Sequence, residues 1–358
     1  MRYPVHMTPQ IPGIHHVTAI ASDPQQNVDF YAGVLGLRLI KRTVNFDDPG
    51  TYHLYYGDAA GRPGTIMTFF PWPGAPRGQV GTGQVSVTAF SIPPTALGYW
   101  QERLRSRGVK VDGPKSRFDE LVLAFTDPDG LPLELSASVG GDDRQAWADG
   151  PVPARHAIRG FHGVTLAERG PEEGCGHTMR LLTEGLDFRQ IGEAGNRFRY
   201  AMGAGGPAAL VDVLCLSGAP RGQIAAGTVH HVAWRVPDDE QQAAWRHQIL
   251  QFGLDVTPVR DRQYFRSIYF REPGGVLFEI ATDSPGFGVD ESLEALGSGL
   301  RLPPWLEPRR RQLERTLPPL RLPESVRAGQ PPLDAPFTGP ASDPGRPAQP
   351  ARPAACSR

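Results

Sequence analysis

The sequence predicts an α+β fold of four βαβββ modules, paired into curved mixed sheets that form two cups with helices on the convex side. Two observations lead to this prediction. Four segments repeat one order of patterns: a strand, a helix, then two or three closing strands. Each opening strand alternates apolar residues with polar or small ones, as a strand with two different faces does. One βαβββ module cannot bury its own sheet, so the modules are expected to pair and to leave a concave face for a ligand.

Each module is defined by its opening strand and by the glycine that ends its helix. The opening strands are predicted at Ile14–Ala21, Gly83–Ile92, Gly160–Glu168 and Thr228–Val236. The helices are predicted to end at Gly36, Gly108, Gly185 and Gly253. The closing strands share a Pro/Gly turn followed by apolar residues around an acidic or polar position, which indicates hairpins.

The modules divide the chain into predicted domains. Residues 1–139 hold modules one and two, and residues 157–300 hold modules three and four. The polar, Pro/Gly-rich stretch 140–156 is predicted to be a linker. Residues 301–327 are interpreted as a terminal helix, at Trp305–Leu317, with an extension. The proline-rich stretch 328–358 has too few apolar residues to offset the entropy of ordering, so a disordered tail is expected.

Composition excludes several classes of partner. The 358-residue chain has a formal net charge of −1, so neither nucleic acid nor an anionic membrane is an expected partner. No apolar run approaches the roughly 18 residues of a membrane span. The N-terminus lacks an apolar signal core, so a cytoplasmic location is expected.

Cysteine is scarce, and this restricts the metal chemistry. Cys175, Cys215 and Cys356 are odd in number and widely spaced, so neither a disulfide framework nor a CxxC metal site is expected. Any metal would therefore be held by His, Asp and Glu. Such a ligand set favours Fe(II), Mn(II) or Zn.

Two histidine doublets mark the candidate site. His15-His16 and His230-His231 begin the opening strands of modules one and four, and Glu279 lies in the last strand of module four. Strand alternation puts His16, His231 and Glu279 on the concave face. It puts His15 and His230 on the apolar face toward the helices. A single strand histidine is usually structural, but the matched positions favour a metal site with two histidines and one carboxylate.

His162 is the alternative ligand, because it also opens a module. It could join His231 and Glu279 between modules three and four. A third arrangement would combine Glu134, His162 and Asp212 between modules two and three. The two doublets favour modules one and four, which leaves His162 as a strand histidine in the other cup.

Several stretches resemble a known superfamily. IHHVTAIASDPQQNVDFYAGVLGL, GTVHHVAW and YFREPGGVLFEIATD resemble the vicinal oxygen chelate (glyoxalase/bleomycin resistance/extradiol dioxygenase) superfamily. They resemble most closely its hydroquinone-type ring-cleaving dioxygenases. The resemblance covers Ile14 to about Phe287. It implies Fe(II) on the second histidine of each doublet and on the closing glutamate, which are His16, His231 and Glu279.

The resemblance also implies supporting roles for residues around the metal. Arg262 and Tyr269 would stabilise charge that develops on oxygen. His15 and His230 could also support the metal, but either would shuttle a proton only if strand twist brought it within reach.

The function expected from the sequence is Fe(II)-dependent opening of a hydroquinone or catechol-like ring with O2. Mn(II), Zn and Ni are the alternative metals. A glyoxalase-like isomerase or lyase, and a non-catalytic binder of an aromatic compound or drug, are the competing functions. The expected partners are a small aromatic substrate and O2, and a homo-oligomer is compatible with the sequence. The ring substituents are left open.

Overall fold

The computed structural model describes residues 10–170 and 174–322, and the predicted tail at 328–358 lies outside them. Each module consists of one opening strand, one helix and three closing strands. Module one contains β1 (Ile14–Ala21), α1 (Pro24–Val28), β2 (Arg38–Val44), β3 (Tyr52–Gly57) and β4 (Ile66–Pro71). Module two contains β5 (Gln84–Ser91), α2 (Leu97–Ser106), β6 (Asp112–Arg117), β7 (Glu120–Thr126) and β8 (Pro132–Ser138). Module three contains β9 (Gly160–Arg169), α3 (Gly176–Arg180), β10 (Arg189–Ala194), β11 (Arg197–Ala201) and β12 (Leu210–Leu216). Module four contains β13 (Thr228–Val236), α4 (Asp239–Gln251), β14 (Arg260–Asp261), β15 (Phe265–Arg271) and β16 (Leu277–Pro285).

Local sequence signals account for the helix boundaries. The Asp23 side chain caps α1 by accepting a hydrogen bond of 2.8 Å from the backbone N–H of Gln26. The helix continues as a π-helical turn, Asp29–Val34, and Gly36 then takes a φ of +72°, which favours glycine. In module three the helix ends in the π-helical turn Leu181–Gly185. There Asp187, rather than the predicted Gly185, adopts the left-handed conformation, at a φ of 59°.

The modules pair into two eight-stranded mixed sheets. One sheet has the order β14-β15-β16-β13-β1-β4-β3-β2 and joins modules one and four. The other has the order β10-β11-β12-β9-β5-β8-β7-β6 and joins modules two and three. We call their concave faces the first cup and the second cup. The predicted α+β fold with two paired, curved sheets is confirmed. Each sheet combines modules from both halves of the chain, so the division at residues 139 and 157 stays a prediction.

The apolar core lies in two places. The larger cluster packs between the sheets and their helices and includes the fully buried Trp100, Trp234 and Trp245. A smaller cluster lines the first cup. It consists of Ile40, Tyr55, Ile66, Ala233, Tyr264, Phe265, Ala281, Phe287 and Leu296. Since Phe287 and Leu296 follow β16, the segment of residues 286–300 covers one edge of the first cup. We call this segment the cup strap.

The connecting segments are more ordered than their composition suggests. In the predicted linker, Trp147 is buried, and Arg144 donates hydrogen bonds to the carbonyls of Gly64 at 3.1 Å and Phe161 at 2.6 Å. The predicted terminal helix is shorter than expected, because α5 spans only Arg310–Thr316. Among the described residues, no helix is long and apolar enough to cross a membrane.

The sequence predicted no disulfide framework, but the structure contains one disulfide. Cys175 and Cys215, whose Cα atoms lie 5.7 Å apart, form a disulfide within module three. The bond ties the start of the module's helix to β12, its last strand. The two residues are 40 positions apart in the chain, so only the fold shows that they are neighbours.

Candidate metal centre

His16, His231 and Glu279 come together in the first cup. His16 lies on β1, His231 on the neighbouring strand β13, and Glu279 on β16 beside β13. All three side chains are buried. Among the described residues, these three form the one group of histidine, cysteine or acidic side chains whose ligand atoms lie within 4.8 Å of one another. The ligand set favoured from the sequence is therefore brought together.

The spacing of the three donor atoms fits one ion. His16 Nε2 lies 3.2 Å from His231 Nε2 and 3.4 Å from Glu279 Oε2. His231 Nε2 lies 2.9 Å from the same carboxylate oxygen. Ligands held about 2.1 Å from an ion at right angles would be about 3 Å apart. The triangle also occupies one side of such an ion only, so its other side would face the cup.

The carboxylate of Glu279 is fixed and charged. Its Oε1 accepts a short hydrogen bond from the Ser267 hydroxyl, and its Oε2 accepts no well-directed hydrogen bond although it is fully buried. Burial by itself would raise the pKa of Glu279, but the neighbouring His16 and His231 outweigh it and hold that pKa well below its usual value. A buried anionic oxygen without a directed donor suits a cation.

The predicted orientation of His15 and His230 is wrong, because each doublet contains a β-bulge. In the pairing of β1 with β13, His15 is the extra residue between Ile14 and His16, and His230 is the extra residue before His231. A bulge interrupts strict alternation and redirects side chains. Instead of facing the helices, His15 Nδ1 lies 2.9 Å from His16 Nδ1, and His230 Nδ1 lies 2.7 Å from His231 Nδ1.

These contacts orient the imidazoles of His16 and His231, the two candidate histidine ligands. With Nδ1 of each ligand engaged by a second imidazole, Nε2 is directed toward the carboxylate. Burial, with a further contribution from His231, lowers the pKa of His230 to about 3. The ring of Phe265 lies 5.0 Å from the rings of both His15 and His16, which fixes the first doublet from the cup side.

Arg262 and Tyr269 lie in the same cup, as their predicted roles require. Arg262 Nε donates a hydrogen bond of 3.1 Å to Tyr269 Oη, and Arg262 Nη1 donates one of 3.0 Å to Asp47. The Tyr269 ring lies 5.9 Å from that of His231. Burial and the charge of Glu279 raise the pKa of Tyr269, so its hydroxyl remains a hydrogen-bond donor at neutral pH. Asp47, on the loop after β2, was not among the residues singled out from the sequence.

His162 lies in the second cup, away from His231 and Glu279. It is the extra residue of a bulge between β9 and β5, so it corresponds to His230. At the positions that correspond to His16 and His231, the second cup has Val87 and Gly163. The alternative that combines His162 with His231 and Glu279 is therefore not assembled.

The third arrangement, Glu134, His162 and Asp212, is not assembled as a ligand group: the three residues line the second cup, but their donor atoms do not come within 4.8 Å of one another, and arginines pair with the two carboxylates. Arg199 Nε donates to Asp212 Oδ1 at 2.7 Å, and Arg117 Nη2 donates to Glu134 Oε1 at 2.7 Å. His162 Nε2 lies 2.6 Å from Glu120 Oε1. With its carboxylates paired in this way, the second cup is an ion-pair network, and its described residues offer no group of free ligands.

Sequence reasoning missed His53, which also belongs to the first cup. Its Nε2 lies 2.7 Å from Thr68 Oγ1, and its Nδ1 lies 2.8 Å from Tyr55 Oη. Thr68 is in turn 3.0 Å from Thr18 Oγ1. The signal available in the sequence was parity, since His53 and Tyr55 alternate along β3 and must share a face.

Comparison with known proteins agrees with this architecture. The family model of the Glyoxalase/Bleomycin resistance protein/Dioxygenase superfamily matches residues 13–135 and 156–280, which together make up more than half of the chain. The chain belongs to this superfamily. The resemblance seen in the sequence is thereby confirmed.

Two individual relatives are similar to the chain over most of its length. The chain is 49% identical over 312 residues to MhqO of Bacillus subtilis (strain 168), which is provisionally named a ring-cleaving dioxygenase; the match covers 87% of this chain and 97% of MhqO. It is 37% identical over 314 residues to the chlorohydroquinone/hydroquinone 1,2-dioxygenase of Sphingobium indicum, covering 86% and 96% of the two chains. These relatives support a dioxygenase function.

Solved structures support the fold. A crystal structure of a provisionally named dioxygenase from Bacillus subtilis matches with a TM-score of 0.82 at 48% identity, covering 87% of this chain and 98% of that chain. Glyoxalase I from Zea mays matches with a TM-score of 0.57 at 14% identity, covering 76% and 92%, and this second likeness concerns the fold alone.

Proposed function

We propose that this protein is an Fe(II)-dependent, extradiol-type ring-cleaving dioxygenase that acts on a hydroquinone or catechol-like aromatic with O2. The observation that carries the proposal is the buried triangle of His16, His231 and Glu279, open toward the cup. Two imidazoles and one carboxylate on one side of an ion are the ligand set of non-haem Fe(II) oxygenases. The names of the relatives favour this chemistry and a quinol substrate.

The ligand residues would hold the ion, and the rest of the cup would handle the substrate. When bound, Fe(II) would acidify a coordinated phenol and accept O2 at an adjacent position. Arg262 provides a fixed positive charge near that side, oriented by Asp47 and Tyr269. The Tyr269 hydroxyl would donate a hydrogen bond to oxygen as negative charge develops on it.

The cup also supplies an apolar, water-poor environment. Phe265 and Tyr264 are buried, and Phe287 of the cup strap packs against Tyr264 with ring centroids 4.9 Å apart. Removing water from the site strengthens the interactions of Arg262 and Tyr269 with developing charge. It also suits a flat aromatic substrate, which buries most of its surface when it binds.

The proposal is tested by metal analysis combined with an oxygen electrode. We expect the protein, purified without oxygen and loaded with Fe(II), to consume O2 with members of a hydroquinone and catechol panel. Metal content with Zn or Ni and isomerase activity without O2 uptake would favour the glyoxalase-like alternative. Tight binding of an aromatic without metal or turnover would favour a non-catalytic binder.

The ligand assignment has a matched control in the second cup. We expect His16→Ala and His231→Ala each to lose iron, because each removes one of three ligands. His162→Ala changes a buried strand histidine at a comparable bulge and is expected to retain iron. Full iron content in both ligand variants, or loss of iron in His162→Ala alone, contradicts the assignment.

A further inference from the structure

Modules one and four are related by a two-fold pseudosymmetry in the first cup, so their equivalent residues can be compared. The two modules differ in the side chains at these equivalent positions. On the module-four side, Glu279 pairs across the sheet with Ala233 and Tyr269, and Ser267 hydrogen-bonds to its carboxylate. These pairings form one row of side chains across the strands β13, β16 and β15. The row supplies the only carboxylate of the three-residue group.

The module-one side has an equivalent row of residues, but its side chains are of different types. Thr68 pairs across the sheet with Thr18 and Tyr55, and His53 lies within hydrogen-bond distance of its hydroxyl. By register, Thr68 corresponds to Glu279, Tyr55 to Tyr269, and His53 to Ser267. A hydroxyl therefore stands where symmetry would place a second carboxylate, and an imidazole lies behind it. Because Glu279 occupies the module-four side of the triangle, a substrate bound to the ion opposite Glu279 would lie on this half of the cup.

His53 is held firmly and still faces the cup. Its ring packs on those of Tyr55 and Phe70, with centroid distances of 4.0 and 4.4 Å. The ring is only partly exposed. If its Nδ1–H donates to Tyr55 Oη, Nε2 is left as an acceptor toward Thr68.

The electrostatic surroundings keep this imidazole neutral until an anion forms. Burial lowers the pKa of His53 well below its ordinary value, and His16, His231 and Arg262 lower it further, while Glu279 opposes them. Tyr55 is a neutral neighbour, because burial raises the pKa of its hydroxyl. A phenolate oxygen beside Thr68 would add a negative charge to this environment and favour the imidazolium.

We propose that His53 is the base that receives the proton of the substrate hydroxyl, with the Thr68 hydroxyl as the relay between them. This inference rests on the proposed function. The substrate O–H bond breaks and its proton binds to Thr68 Oγ1, which gives its own proton to His53 Nε2. The substrate oxygen keeps the electron pair as a phenolate. The proton returns by the same route when product leaves, so no other reactant is needed.

The test measures how many protons are released to solvent when the substrate binds. Iron-loaded protein without O2 is mixed with hydroquinone at neutral pH in weakly buffered solution with a pH indicator. Wild-type protein is expected to release almost no protons to solvent, because His53 keeps them. His53→Gln retains a hydrogen-bonding group but no base, so it is expected to release about one proton for each hydroquinone bound. Its kcat is expected to fall by about a hundredfold or more, with iron content unchanged.

Two further variants make the result decisive. Thr68→Val breaks the relay and leaves His53 in place, so it is expected to behave like His53→Gln. His247→Gln changes an exposed histidine on α4 and is expected to behave like wild type. A wild-type proton count and kcat in both His53→Gln and Thr68→Val would overturn the proposal. If wild-type protein binds no hydroquinone or catechol, the proposed function fails, and this inference fails with it.

Discussion

Lys41 gives a direct measure of how strongly the cup strap is attached. Its ammonium group is fully buried on β2 and contacts Asp290 at 2.6 Å, the carboxylate of Glu291, and the carbonyl of Phe287 at 3.2 Å. All three partners belong to the strap. Lys41→Met keeps most of the side-chain volume and removes the charge. The strap would then retain its apolar contacts but lose its ionic attachment.

The expected loss of stability depends on the partners that Asp290 and Glu291 retain after Lys41 is replaced. Removing one partner of a buried ion pair costs about 3–5 kcal/mol. Glu291 keeps an ion pair with Arg301 at 3.0 Å, and Asp290 is partly exposed and can be hydrated. We therefore expect the lower end of that range, about 3 kcal/mol, which is more than a hundredfold in the unfolding equilibrium.

Urea unfolding followed by tryptophan fluorescence measures this change, and hydrogen exchange locates it. Exchange is expected to speed up most in residues 286–300. Lys115→Met is the matched control, because Lys115 pairs with Asp112 on the surface, where the same substitution should change stability little. In a double-mutant cycle, Glu291→Gln should recover part of the loss. If Lys41→Met is as stable as Lys115→Met, the ionic attachment does not hold the strap.

Two further changes test other parts of the structure. Asp127 is buried and hydrogen-bonded to Tyr31, and burial raises its pKa to about 7 from 3.8. Because the folded-state value is the higher one, this group stabilises the fold at low pH and loses that contribution as the pH rises through 7. The stability of Asp127→Asn relative to wild type should therefore increase by up to about 4 kcal/mol between pH 4 and 7, and a constant difference in urea unfolding would contradict the shift. Thr68→Glu should supply a second carboxylate opposite Glu279 and so retain iron but lose hydroquinone binding, whereas Thr68→Gln, which lacks the relay hydroxyl as well but adds no charge, should still bind hydroquinone. Equal hydroquinone affinity in iron-loaded Thr68→Glu and Thr68→Gln would contradict the position given to the open side.

The repeat pattern was sufficient to predict the architecture. Matched doublets at His15-His16 and His230-His231 indicated that modules one and four face each other, and the sheet order has them adjacent. Strand parity also selected the correct face for Glu279. These predictions succeeded because they depend on local alternation and on repetition, both of which are visible in a single sequence.

Predictions that depended on register were less successful. Parity assigned His15 and His230 to the wrong face, since a bulge adds one residue to each strand and the sequence does not mark it. His53 was missed because its importance comes from pairing between β3 and β4, which places Tyr55 opposite Thr68. Hydrogen-bonding register across strands is set by the whole sheet, so it cannot be inferred from one strand at a time.

Each sheet joins modules that are not neighbours in the same half of the chain, and this pairing has a consequence for how the protein folds during synthesis. His16 and His231 are 215 residues apart in the chain, although their strands are neighbours. A ribosome-bound chain that ends after module three contains every strand of the second sheet but only one of the three proposed metal donors. The proposed metal ion could therefore be captured only once β16 has emerged and joined the first sheet. Capture of the ion would report that the strands of both sheets are complete, and an N-terminal fragment would be both unmetallated and left with the open edge of β1.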